Sequence, residues 1–277
     1  MAAKARVPVR AACGCAGALV GLLLLAYAVP SAERADATAL NGLMALRGPR
    51  IAPILEFFAH SADPLPVAAM LVAIVAVGLA GGRRRQALAA TALVGGAALT
   101  TEVLKVLLAH QRLDPVPGAH QLGPAAFPSG HATGAMALAL AAVLVAAPRL
   151  RPLAVGVGTA YGIAVSTSIL VLGWHFPSDV FGGMLVAAFY FCAAVAGLRA
   201  LAGREEAGAP VSWGRLRPRR WRGAAALAVP LVATAVVARA GAMATYASAH
   251  TTATVIAIGI VGCSAALLWA AAALADR

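Results

Sequence analysis

Phe127-Pro128-Ser129-Gly130-His131 is the stretch around which the other informative residues of this chain fall into place. It stands where a polar loop ends and a long apolar run begins, so a helix is expected to start there. Proline suits the first position of a helix, and glycine lets the backbone approach a ligand closely. Free N–H groups at a helix start attract anions. The stretch therefore predicts a helix start that opens onto a phosphate.

The composition is typical of a polytopic membrane protein. The chain has 277 residues, of which 61% are hydrophobic and only 12% charged, and its formal net charge is +12. A soluble domain carries charge on about a quarter of its residues. The basic residues are confined to short segments between apolar runs, which indicates membrane topology rather than nucleic-acid binding. We therefore predict an all-α bundle of transmembrane helices with no nucleic-acid partner.

Apolar runs predict eight membrane spans, because about 20 apolar residues are needed to cross a bilayer. They cover residues 11–29, 66–80, 86–109, 129–147, 153–172, 177–198, 223–237 and 252–274. A signal peptide would share the pattern of the first run, but its length favours a retained span. We expect a six-span core over residues 1–200, a basic loop over 201–222 and two additional spans within 223–277. Helical spacing in 31–65 predicts helices along the membrane surface or packed over the bundle.

The distribution of positive charge predicts the orientation. An N-terminus in the cytoplasm places 16 of the 22 Lys and Arg residues on the cytoplasmic side. The positive-inside rule favours that arrangement. The basic cluster at 215–222 then anchors the chain to anionic headgroups. We predict a multi-pass protein of the plasma membrane whose polar loops after the third and fifth spans face outward.

Three polar elements fall on that outward face, and the first closes the third predicted span. Lys105 and Arg112 are seven positions apart, about two helical turns, so both cations should point from one side of the helix end. Ordinary cations at a membrane edge would explain this pair alone. Glu102 lies one turn before Lys105 and needs a partner at that depth.

The second element is the opening stretch, with Ser129 and His131, and the third lies between the fifth and sixth predicted spans. Pro177 suits a helix start, which puts His175 just outside the helix and Asp179 in its first turn. A carboxylate four residues from an imidazole can accept one ring N–H and leave the other nitrogen free to attack. Capping of the helix by Asp179 alone is the alternative.

Together these elements resemble the three motifs of the type 2 phosphatidic acid phosphatase family. Those motifs run Lys-x6-Arg-Pro, Pro-Ser-Gly-His and Ser-Arg-x5-His-x3-Asp. The resemblance covers the first six predicted spans. It implies that His175 attacks phosphorus and forms a phosphohistidine, that Asp179 orients His175, and that His131 protonates the departing alcohol. The residues implied to bind the phosphate oxygens are Lys105, Arg112, Ser129 and Gly130. The resemblance implies no metal ion and no other cofactor.

The chain departs from the family pattern at two positions. Leu113 replaces the proline of the first motif, and Ile169 replaces the arginine of the third. Losing a charge-assisted contact to phosphate is expected to cost about 2 to 4 kcal/mol in transition-state binding. That loss corresponds to a rate loss of roughly a hundredfold or more. Cations that could substitute by location are His110, His120 and Arg239.

The resemblance implies an integral-membrane phosphatase that acts on a lipid phosphate or diphosphate, of polyprenyl or glycerolipid type. The bilayer holds the tail of such a substrate while its headgroup reaches the site. Ile169 leaves open a catalytically impaired relative that binds or scaffolds anionic lipids. Transfer of the phosphate to an alcohol instead of water is a third possibility. The sequence decides neither the substrate nor the oligomeric state.

Overall fold

A computed structural model describes residues 6–111, 116–119, 122–205 and 240–275 of the chain. In that part the protein is all-helical, as predicted. Its helices are α1 (Arg6–Ala28), α2 (Pro30–Met44), α3 (Ala52–Ser61), α4 (Pro64–Ala80), α5 (Arg84–Leu107), α6 (Gly130–Val145), α7 (Arg151–Val171), α8 (Pro177–Glu205), α9 (Ala240–Ala249) and α10 (Thr251–Ala275).

The described residues contain five helices long and apolar enough to cross a membrane: α1, α5, α7, α8 and α10. The pair α3 and α4 is bent by 62° and makes a sixth candidate if it counts as one span. Helix α6 has 16 residues, a length of about 24 Å. The multi-pass construction agrees with the prediction, whereas the count of eight spans is not confirmed. The predicted span 223–237 lies outside the described residues.

Helix α6 forms the centre of the bundle. It packs against α4, α5, α7, α8 and α10, and most of its side chains are buried. Its sequence is rich in alanine and glycine, so neighbouring helices approach it closely. A Cβ atom placed on Gly183 of α8 would lie 2.6 Å from the carbonyl oxygen of Ser129. The start of α6 is therefore fixed directly against the first turns of α8.

The segment between the first two predicted spans forms two different helices. Helix α2 packs over the bundle, against α1, α7, α8 and α10, with Leu40 and Leu43 fully buried. Its carboxylates Glu33 and Asp36 are also buried. Helix α3 instead exposes large apolar side chains such as Phe57. Of the two arrangements expected for this segment, packing over the bundle is the one that α2 adopts.

Hydrogen bonds between helix ends show which ends of the long helices lie together. The connection between α4 and α5 meets the end of α6, where Arg83 donates a hydrogen bond from Nη1 to the carbonyl oxygen of Val145 at 3.0 Å. Near the end of α8, Arg199 bonds the carbonyl oxygen of Leu274 in α10. The ends of α6, α8 and α10 therefore lie at one end of the bundle, and their starts lie at the other.

Candidate active site

The starts of α6 and α8 meet at one end of the bundle and bring two predicted motifs together. The backbone N–H of Ser129 donates to the carbonyl oxygen of Asp179 at 2.9 Å. The ring centroids of His131 and His175 are 5.9 Å apart. Two histidines separated by more than 40 positions in the sequence thus face one small region.

His175 and Asp179 have the arrangement that their spacing predicts. Helix α8 begins at Pro177, which leaves His175 in the preceding turn and Asp179 in the first helical turn. The Asp179 Oδ2 atom lies 3.5 Å from Nδ1 of His175 and accepts the backbone N–H of Phe176 at 2.9 Å. Since 3.5 Å exceeds a good N–H···O distance, the imidazole contact is an ion-pair approach rather than a formed hydrogen bond. The carboxylate thus caps the start of α8, and its predicted role in orienting His175 stays a prediction.

Lys105 reaches the start of α6 from the end of α5. Its Nζ atom would lie 3.1 Å from a Cβ atom placed on Gly130, so the ammonium group stands directly over that glycine. The same Nζ atom pairs with Oε1 of Glu102 at 2.8 Å, as predicted. A cation beside the free N–H groups of a helix start is suited to bind an anion.

The structure corrects the geometry predicted for Arg112. Helix α5 ends at Leu107, so Lys105 and Arg112 do not stand two turns apart on one helix. Residues 109–111 are not helical. Arg112 itself lies outside the described residues, and its contact with phosphate stays a prediction.

Ser129 is the N-cap of α6 rather than a residue within it. Its fully buried side-chain oxygen accepts the backbone N–H of Ala132 at 3.3 Å. Pro128 therefore precedes the cap and does not occupy the first helical position that the sequence suggested; its peptide bond with Phe127 is cis. The cap leaves the Ser129 hydroxyl hydrogen able to donate, so the predicted contact with phosphate stays a prediction.

Asp63 is a site residue that the sequence analysis missed. Its Oδ1 atom lies 3.0 Å from Nε2 of His131, and its Oδ2 atom lies 2.9 Å from Nδ1 of His60. Burial works to raise the pKa of the Asp63 carboxyl, but the hydrogen bonds and positive charge of the two histidines outweigh it and lower that pKa. The signal in the sequence was an aspartate directly before Pro64 at a helix start.

Trp174 forms an aromatic wall beside these groups. Its indole lies 5.5 Å from the ring of His131 and 5.2 Å from the ring of His60, measured between centroids. An adjacent aromatic ring restricts the orientation of both imidazoles.

Ile169 is fully buried in α7, and its carbonyl oxygen accepts the N–H of Trp174 at 2.8 Å. The position that carries arginine in the family motif is thus part of the apolar core of this chain. Of the three cations named as substitutes, His110 stacks on Tyr27 with ring centroids 4.6 Å apart. His120 and Arg239 lie outside the described residues.

Asp36 of α2 supports the start of α8. Its Oδ1 atom accepts the backbone N–H of Ser178 at 3.0 Å, and its Oδ2 atom accepts the Ser178 hydroxyl at 2.5 Å. Among the described residues no group of three or more His, Cys, Asp or Glu side chains is arranged to hold a metal ion.

Comparisons with known proteins identify the fold and the family of the matched helices. The fold is similar to that of a transmembrane phosphatidylglycerolphosphate phosphatase of PAP2 type from Bacillus subtilis, with a TM-score of 0.60 and 20% sequence identity over 73% of this chain and 99% of that one. A search of curated proteins finds no significant match. Residues 85–202 match the family model of the PAP2 superfamily, and they include α5, α6, α7 and most of α8. This membrane-helical unit, with the two histidines and the lysine that it brings together, belongs to the PAP2 superfamily.

Proposed function

We propose that this protein is an integral-membrane phosphatase that hydrolyses a lipid phosphate or diphosphate through a phosphohistidine intermediate. The observation that supports it most directly is the pair of imidazoles, His131 and His175, whose ring centroids are 5.9 Å apart. Two rings at that distance can both contact one phosphoryl group placed beside their edges. Each ring also has one nitrogen beside a carboxylate, which leaves the other nitrogen for the substrate.

In the first half of the proposed reaction, Nε2 of His175 attacks phosphorus and the bond from phosphorus to the leaving oxygen breaks. Asp179 beside Nδ1 stabilises the positive charge that develops on this ring. The leaving oxygen takes a proton from His131 and departs as the lipid alcohol, or as the lipid monophosphate when the substrate is a diphosphate.

In the second half, His131 has lost its proton and acts as a base. It takes a proton from water as the water oxygen attacks the phosphohistidine. The bond from phosphorus to nitrogen breaks, and inorganic phosphate leaves. One lipid phosphate and one water thus give one alcohol and one phosphate.

Lys105, the N–H of Gly130, the Ser129 hydroxyl and Arg112 are proposed to bind the phosphate oxygens. Groups that are already oriented toward a developing charge stabilise a transition state without reorganisation. The proposed chemistry uses no metal ion. Because Ile169 supplies no guanidinium, we expect slower turnover than a site with the complete motif would give.

The substrate class follows from the setting of the site. A site at the end of transmembrane helices meets the headgroups of lipids whose tails remain in the bilayer. The shared chemistry of polyprenyl and glycerolipid phosphates is a phosphate ester or anhydride on a long apolar tail. We propose that the site faces the outside of the plasma membrane.

The test is phosphate release from lipid phosphates by the purified protein in detergent. We expect activity in the wild type, and we expect both His175→Ala and His131→Ala to reduce it by at least about a hundredfold. Rapid quench of the His131→Ala variant in alkaline detergent should leave on the protein a phosphate that is stable in base and lost in acid, if the variant stalls after the first half. Phosphate release that survives both substitutions, or a silent wild type across a panel of lipid phosphates, would contradict the proposal. The silent wild type would favour an impaired, lipid-binding relative.

A further inference from the structure

The carboxylate of Asp63 bridges two imidazoles at the mouth of the site. Oδ1 lies 3.0 Å from Nε2 of His131, which is on α6. Oδ2 lies 2.9 Å from Nδ1 of His60, at the end of α3. Asp63 stands in the bent connection between α3 and α4, so a part of the fold outside the matched residues 85–202 reaches the chemistry.

Asp63 occupies a position where an aspartate ordinarily caps a helix. An N-cap carboxylate usually accepts N–H groups from the first turn of its own helix. The Asp63 side chain makes no such bond with α4. Both carboxylate oxygens are directed to histidines instead, and the side chain remains 39% exposed. Capping of α4 therefore does not explain the position of the Asp63 side chain.

We propose that Asp63 is the positioning residue that holds His131 in the orientation and protonation state of the proton donor; this inference rests on the proposed phosphatase function. An ionised carboxylate can only accept hydrogen bonds, so Nε2 of His131 must carry a hydrogen. Nδ1 is then the nitrogen that gives a proton to the leaving oxygen and later takes one from water. Asp63 would thus stand beside His131, the proposed proton donor, as Asp179 stands beside His175, the proposed nucleophile.

The charges around His131 make this carboxylate necessary. Burial of the ring disfavours its protonated form most, and so do His175 before α8, once that ring is positively charged, and Lys105 at the end of α5. Glu102 is already paired with Lys105, and Asp179 lies against His175. From the α3–α4 connection, Asp63 is the carboxylate that contacts His131 directly, and His60 shares it. Without Asp63, the protonated ring of His131 would lose the carboxylate that offsets this unfavourable environment.

The test measures the first turnover with two substrates in the wild type and in Asp63→Asn. One is a lipid phosphate with an alkyl leaving group, and the other is p-nitrophenyl phosphate, whose leaving group needs little protonation. We expect Asp63→Asn to slow alcohol release from the lipid phosphate by about tenfold or more, and nitrophenol release by clearly less. The pH above which alcohol release falls should decrease by about one unit, because the imidazolium loses its counter-charge. Asp63→Glu should restore much of the rate.

Glu56→Gln is the matched control, because Glu56 is an exposed carboxylate on α3, and it should leave both rates and the pH profile unchanged. Equal losses with both substrates and an unshifted profile would reduce Asp63 to a structural role and overturn the proposal. A nitrogen NMR titration of His131, assigned with His131→Gln, does not depend on turnover. Equal titration midpoints in the wild type and Asp63→Asn would overturn the inference by themselves. Failure of the proposed phosphatase function would give a different result, because the wild type itself would then release no phosphate.

Discussion

At the scale of single residues, one oxygen of Asp179 serves two purposes. Oδ2 accepts the N–H of Phe176 and also lies against His175. The capping bond fixes where the carboxylate stands, and that place determines which nitrogen of His175 it can face. Catalytic hydrogen bonds often tighten on binding, so we expect the 3.5 Å contact between Asp179 and His175 to shorten when a phosphate is bound. The same position of the Asp179 carboxylate therefore provides both the capping bond and the contact with His175.

Gly183 is the residue whose size the site depends on most. A Cβ atom there would lie 2.6 Å from the Ser129 carbonyl oxygen and 2.9 Å from the N–H of Thr133. Because both are backbone atoms, Gly183→Ala must push α8 away from α6. We expect a cost of about 1 to 3 kcal/mol and a thermal midpoint in detergent several degrees lower, with loss of phosphate release. Gly197→Ala on the same helix, where nothing lies within 4 Å, should change neither; equal midpoints for both variants would contradict the prediction.

Motif spacing located His131, His175, Asp179 and Lys105, because each stands at or beside a helix end that the sequence marks. Asp63 escaped detection because its partnership with His131 crosses 68 positions and depends on the bend between α3 and α4. No local pattern encodes that bend. The end of the third predicted span was placed slightly too far along the chain, since the apolar run gave no sign that α5 stops at Leu107; Arg112 itself lies outside the described residues.

At the scale of elements, α2 is a brace for the start of α8. A short helix rich in charged residues would be expected at the surface, yet its Asp36 is buried and accepts two hydrogen bonds from Ser178. A carboxylate at a helix N-terminus is further stabilised by the helix dipole. Because Ser178 and Asp179 are neighbours, α2 helps to set the position of the Asp179 carboxylate, which we propose to orient His175.

Asp36→Ala tests the brace. It removes the acceptor for the N–H and the hydroxyl of Ser178, and leaving a buried donor without its partner costs about 1 to 3 kcal/mol. We expect a lower thermal midpoint and a lower turnover number, whereas Asn41→Ala, at an exposed position of α2, should affect neither. A double-mutant cycle with Ser178→Ala should show the two losses to be non-additive. Additive losses would contradict a direct connection.

The long apolar elements were predicted to within a few residues. Helix α10 spans Thr251–Ala275 and α7 spans Arg151–Val171, against predicted runs of 252–274 and 153–172. An uninterrupted apolar run bounded by charge or proline has no other stable form in a bilayer. The segment 31–65 was less determined by its sequence, because a helix of mixed composition takes its position from the surfaces that it meets.

At the scale of the whole molecule, the ends of the bundle differ in charge. The site lies where α6 and α8 begin and α5 ends. Arginines gather at the opposite end, where Arg83 and Arg199 also satisfy carbonyl groups of α6 and α10. If the arginine-rich end is retained in the cytoplasm, as the positive-inside rule favours, we expect the end that carries the candidate site to face outward.

That orientation predicts hydrolysis without entry into the cell. Intact spheroplasts that express the protein should release phosphate from a short-chain, membrane-impermeant lipid phosphate at nearly the rate of lysed ones. Spheroplasts that express His175→Ala give the background to subtract. Activity that requires lysis would show that the site faces the cytoplasm and would reverse the predicted topology.

The length of α6 has a consequence for how a lipid would enter. The helix covers about 24 Å, whereas the hydrocarbon layer is about 30 Å thick. With its far end level with the inner boundary, its start would be recessed roughly 6 Å below the outer one. A lipid headgroup would then have to move below the membrane surface to reach the histidines. Its ester bond would contact them in a medium of low polarity. There, attraction between a phosphate and a lysine is several times stronger than in bulk water.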